Sequence, residues 1–219
     1  MTWNVFITKL FGFIKYHILR NEYSLWYIVR KSRERSIRAN LLKAYKGRTS
    51  QEKSYLNCVV CIYRGDIIQG GLADRLRGIL SVYKICRDIN VPFRLYFVHP
   101  FKLELFLVPN RYDWHISKSD ICNKIGGKSI VILDVTSDSE YQRKKRERYL
   151  LSRISKINKQ IHVYSNASFS YEYNYAELFS ELFSLSPRLS ASLAKSKNAI
   201  SGNYISISTR FLNILGDFN

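Results

Sequence analysis

The sequence predicts a layered α/β fold with a mainly parallel sheet, entered through a basic amphipathic helical leader. Three observations predict it. From about residue 55 onward, strand-like apolar runs alternate with helix-like segments, the order expected of a parallel sheet with crossover helices. A glycine-bearing loop joins the first strand-like run to the most regular helical stripe in the chain. Before that point, residues 1–57 carry twelve Lys and Arg against three Glu, which is half of the formal net charge of +18. The 219 residues are 46% hydrophobic and 14% aromatic, with few Pro and Gly, a composition that places the chain with folded globular proteins and away from disordered ones.

In the leader, Trp3, Ile7, Leu10, Phe11 and Ile14 fall at helical spacing with Lys9 and Lys15 outside the stripe. The apolar runs are broken by Lys9, Lys15 and Arg20 and fall short of the ~20 residues needed to span a bilayer, so neither a transmembrane helix nor a cleavable signal is expected. A cluster follows at Arg30, Lys31, Arg33, Arg35 and Arg38. Three readings stay open for this leader: docking on an anionic membrane surface, packing on the domain, or contact with nucleic acid. The polar stretch 46–54 reads as a linker. The expected organisation is therefore leader and linker at 1–54, an α/β domain at 55–202, and the opening strand of a truncated second domain at 203–219.

Strands are expected at 58–63, 93–98, 129–134, 160–164 and 203–208. Leu72, Leu76, Ile79, Tyr83 and Cys86 step by four and three along one face, giving a helix of about four turns. Further helices are expected at 101–107, 138–157, 174–184 and 187–198, with 109–128 irregular. Cys58 and Cys61 have a metal or redox spacing, but three residues apart on a strand they face opposite sides of the sheet. Buried packing in a reducing cytoplasm is expected for them and for Cys86 and Cys122.

Gly65-Asp66-Ile67-Ile68-Gln69-Gly70-Gly71 leads from the first strand into the first helix. Ligands of parallel α/β sheets gather beyond the carboxyl ends of strands, where a helix amino terminus offers free N–H groups and partial positive charge. Gly70 and Gly71 let the backbone approach such a ligand. Arg75, one turn in, is a fixed cation suited to phosphate. The alternative is a tight turn in which Asp74 caps the helix or ion-pairs and Arg75 is solvated. The loop is neither a Walker loop nor a Gly-x-Gly-x-x-Gly fingerprint.

The run Gly70-Gly71-Leu72-Ala73-Asp74-Arg75-Leu76-Arg77-Gly78-Ile79 resembles the Gly-Gly-Leu-x-x-x-Leu segment of bacterial fucosyltransferase-like glycosyltransferases, relatives of the α-1,2, α-1,6 and protein O-fucosyltransferases. His99 to Glu104 and Val108 to Trp114 resemble the stretch downstream of that motif in some members. Tyr204 to Asn213 sits where the family has His-x-Arg, with Ser208 at the histidine position and Arg210 at the arginine. The resemblance implies the Rossmann-like first domain of a two-domain GT-B enzyme. It implies a GDP-fucose donor bound mostly by the second domain, with Arg210 on its diphosphate offsetting leaving-group charge, and a glycan acceptor near His99 and Glu104. By their own chemistry Gly70, Gly71 and Arg75 are the donor-side wall of the first domain, Arg75 suited to phosphate or to developing leaving-group charge.

Asp74 and Glu104 are the candidate bases for the acceptor hydroxyl, by chemistry alone. No metal or other cofactor is expected, and the chain holds no Asp-x-Asp pair. The expected location is cytoplasmic, peripheral at the inner membrane face. With Ser208 in place of histidine and most of the second domain missing, transfer of fucose or a related sugar is expected to be incomplete in this chain alone. The alternative is an inactive remnant or a membrane-associated binding domain. Nucleic-acid binding ranks third, because the run Arg143-Lys144-Lys145-Arg146-Glu147-Arg148 reads as the solvated face of a helix.

Overall fold

The computed structural model describes residues 57–67, 69–122, 128–133, 140–154, 159–169 and 174–200, together with Ser36, Ala39 and Leu41. Strand β1 (Val59–Tyr63) is buried along its whole length, as its continuous apolar run Val-Val-Cys-Ile-Tyr requires of a strand covered on both faces. Helix α1 (Leu72–Asp88) follows and returns the chain to β2 (Phe93–Phe97). β4 (Lys128–Leu133), α2 (Glu140–Ile154) and β5 (Gln160–Ser165) form a second unit of the same kind. The four strands make one parallel sheet in the order β2-β1-β5-β4. The described residues are thus an α/β unit of a pattern compatible with a Rossmann-like sheet.

Both crossovers, β1 to β2 and β4 to β5, step in the same direction across this sheet. With a shared handedness they must place α1 and α2 on the same face. They do: Ile79, Val82, Tyr83 and Cys86 of α1 and Leu150 and Ile154 of α2 pack with Cys61, Leu95, Val131 and Val163 in one cluster. α3 (Tyr175–Leu182) joins that face and is tied to α1 where Tyr83 donates to Glu181 at 2.6 Å and Arg87 pairs with Glu181 and Glu177. The other face is thinner. Val60, Ile62 and Tyr164 meet Ile116, Ile121 and Leu41 there, so a residue of the leader is buried against the sheet. The rest of the leader, apart from Ser36 and Ala39, and the expected strand at 203–208 lie outside the described residues.

Three expectations are corrected. The helix expected at 101–107 is a 3-10 turn at Leu103–Leu105 followed by β3 (Leu107–Pro109). Seven residues seldom sustain an isolated helix, and here the chain instead gains an antiparallel ladder with β6 (Phe183–Leu185). That ladder also ends α3 at Leu182, where the expected helix ran to 184; Phe183 is already extended. The third correction concerns the basic run in α2. Arg143 and Arg146 are only 5% and 8% exposed, because they occupy the same inward stripe as Leu150 and Ile154. Arg146 donates through Nη2 to Ser168 O at 3.2 Å. α4 (Pro187–Ile200), expected at 187–198, has no buried residue.

Cys58 and Cys61 fall in the two opposite clusters and, with Cys86, are buried. Burial raises the Cys58 thiol from the ordinary value of 9.0 to about 11, with Gln160 and Arg94 opposing the rise. Cys61 and Cys86 move the same way for the same reason. A thiol whose folded pKa is raised contributes stability that is fully present below about pH 9 and lost as pH climbs through about 11. Urea midpoints should therefore fall over that interval, and Cys58→Ala should flatten part of the fall.

Candidate functional site

The carboxyl edge of the sheet is where loops following β1, β2 and β5 meet the first turn of α1. Gly70 adopts φ +68°, a left-handed conformation that a β-carbon disfavours, and this turn swings the chain into α1. Gln69 anchors the approach by donating from Nε2 to Ile62 O at 3.0 Å from a buried position. Before it, Arg64 and Asp66 form an ion pair.

Arg75 is the node of the edge. Its Nε donates to Gly70 O at 3.0 Å and its Nη1 to His99 O at 2.5 Å, while the guanidinium carbon stands 5.6 Å from the centre of the Phe97 ring. One side chain thus joins the loop after β1 to the loop after β2. Desolvation lowers its pKa, with Tyr63 opposing, but a guanidinium stays cationic throughout the accessible pH range. Behind it, Tyr63 donates to Ser165 O at 2.5 Å and approaches Arg75 O at 3.3 Å. Burial first, then Cys61, keeps that phenol protonated and so able to donate. Tyr63→Phe should lower stability by roughly 1 kcal/mol, read as a shifted urea midpoint at unchanged slope.

Asp74 accepts from the Gly71 N–H at 3.3 Å and pairs with Arg77, so its carboxylate serves the start of α1. His99 lies exposed with its ring over Gly65, and its main-chain N–H donates to Tyr63 O at 3.1 Å. Glu104 sits in the 3-10 turn, half-buried, and among the described residues its carboxylate holds no hydrogen bond or ion pair. The structure therefore brings Gly70, Gly71, Asp74, Arg75 and His99 to one edge, with Glu104 on the connection that leaves it. Arg210 and Ser208 lie outside the described residues. Among those described, no group of three or more His, Cys, Asp or Glu side chains is arranged to hold a metal ion, and no helix is long and apolar enough to cross a membrane.

No match was found. Neither the models of known protein families, nor curated proteins, nor solved structures match this chain. The geometry stands on its own.

Two residues of the edge were not singled out from sequence. A β-carbon on Gly78 would lie 2.6 Å from Ser165 O, so α1 and the end of β5 touch through backbone at this position. Tyr63 reads as one more apolar strand residue until its hydroxyl partners are known. For Gly78 a signal existed: a glycine inside an otherwise regular helical stripe marks a close approach. Leu72, the first residue of the helical stripe of α1, is 44% exposed at the rim of the edge.

Proposed function

We propose that this chain is the Rossmann-like first half of a GT-B type glycosyltransferase that transfers fucose or a related sugar from a GDP-sugar to a glycan. The observation that carries the reading is Arg75, a cation fixed beside the amino terminus of a 17-residue helix at the carboxyl edge of a parallel sheet. Helix terminus, glycine backbone and guanidinium together suit a diphosphate.

In such a transfer the acceptor hydroxyl oxygen bonds to the anomeric carbon and the bond from that carbon to the phosphate oxygen breaks. The electron pair leaves with GDP, and the hydroxyl proton passes to a carboxylate base. Arg75 would stabilise the charge arriving on the diphosphate. Of the two carboxylates considered as base, Glu104 is the better placed, because Asp74 is engaged by Gly71 and Arg77. Arg210 would complete the donor site from the second domain. The basic leader would hold the enzyme at the cytoplasmic face of an anionic membrane.

A second reading, a binding domain without catalysis, is favoured by one feature. Arg75 already gives two of its donors to main-chain carbonyls, so a diphosphate must compete for it. Calorimetric titration with GDP tests the first reading: saturable binding supports it, and absence of binding overturns it. Salt-sensitive pelleting of the full chain with anionic vesicles, without GDP binding, would leave the second.

A further inference from the structure

At the amino end of the sheet, a cavity of about 480 Å³ opens between the last turn of α1, the start of β2 and the 112–113 loop. Its size falls within the ~300–1,000 Å³ of small-ligand sites. Arg75 and Arg87 stand twelve residues apart on α1, a rise of about 18 Å, so the cavity and the Arg75 edge lie at opposite ends of that helix. Val91, Pro92 and the half-buried ring of Tyr112 give it an apolar wall, and Arg87, Asn90, Asp113 and Glu181 surround that wall with polar groups.

These groups discriminate between ligand classes. Arg87 is neutralised by Glu177 and Glu181, and Asp113 adds a further negative charge, so an anion finds no net attraction. Arg94 on the same wall opposes a cation. An apolar ligand would strip water from charged groups without replacing its hydrogen bonds. The groups still open for bonding are of mixed kind. Among the described residues, Asn90's carboxamide makes no side-chain hydrogen bond, Arg87 uses only Nη1, and Asp113 uses only Oδ1, which accepts from the His115 N–H at 3.1 Å. Donors and acceptors are therefore both open beside an aromatic side chain. Hydroxyl groups, each able to donate and accept, match that mixture, and the C–H face of a sugar ring matches the apolar wall.

We propose that this cavity binds a saccharide, as a site separate from the carboxyl edge. The inference does not depend on sugar transfer, and its failure is distinguishable from a failure of GDP binding. The test is saturation-transfer NMR on the full chain with L-fucose, D-mannose, D-galactose and N-acetyl-D-glucosamine, each at millimolar concentration. At least one should receive saturation. Asn90→Gly, which removes the carboxamide while suiting the positive φ of 53° at this position, should weaken binding about tenfold. Asp113→Ala should do likewise, and Arg75→Ala should leave binding unchanged. Thermal melting confirms that each variant is folded. No transfer to any of the four sugars, transfer undiminished in both cavity variants, or displacement of the sugar by inorganic phosphate would overturn the proposal.

Discussion

Arg75→Ala is expected to weaken GDP binding at least tenfold, and Arg75→Lys to recover only part of the loss. A charge-assisted hydrogen bond to phosphate contributes about 1.5–3 kcal/mol, and each ~1.4 kcal/mol is a factor of ten in affinity. Lysine restores the charge but not the fork that reaches Gly70 O and His99 O together. The measurement is calorimetric titration of the wild type and both variants, with thermal melting as the folding control. Binding that is indifferent to Arg75 would remove this side chain from the donor site even if GDP bound elsewhere.

Gly78→Val is expected to be the most destabilising single change at the edge. The β-carbon would meet the Ser165 carbonyl oxygen at 2.6 Å and its carbon at 2.9 Å, and neither is a flexible side chain that can turn away. Either α1 lifts from β5 or the chain after β5 shifts, and overpacking of this kind costs typically ~1–3 kcal/mol, or more where backbone must move. The thermal midpoint should drop by several degrees, at ~2–4 °C per kcal/mol for a domain of this size. Gly78→Ala should show a smaller drop of the same sign. An unchanged midpoint in both would mean that helix and strand are not in contact there.

The parallel sheet and α1 were legible because their signals are local. β1 and most of β4 are apolar runs, β2 and β5 carry apolar residues at every second position, and Ile79, Tyr83 and Cys86 repeat at helical spacing. The β3–β6 ladder was not, because Leu107 and Leu185 pair across 78 positions and neither three-residue segment has a periodicity of its own. The inward arginines of α2 escaped for a related reason. Charge argues for solvent, yet Arg143 and Arg146 sit at the spacing of Leu150 and Ile154, and an inward partner such as Ser168 O is visible only once β5 and α2 are brought together. At the site, the glycine turn and Arg75 were legible as a motif. That Arg75 would join two loops was not, since the His99 carbonyl that receives it lies 24 residues away.

The junction made by Tyr63 and Arg75 has a consequence for exchange with solvent. Tyr63 binds the end of β5, Arg75 binds the loops after β1 and β2, and the two belong to β1 and α1. No one of these segments can open without breaking a bond to another. Amide hydrogens around Gly70, His99 and Ser165 should therefore exchange for deuterium as one cooperative unit with a common opening free energy, well above that of freely fraying loops. An edge of this kind would meet a ligand already ordered.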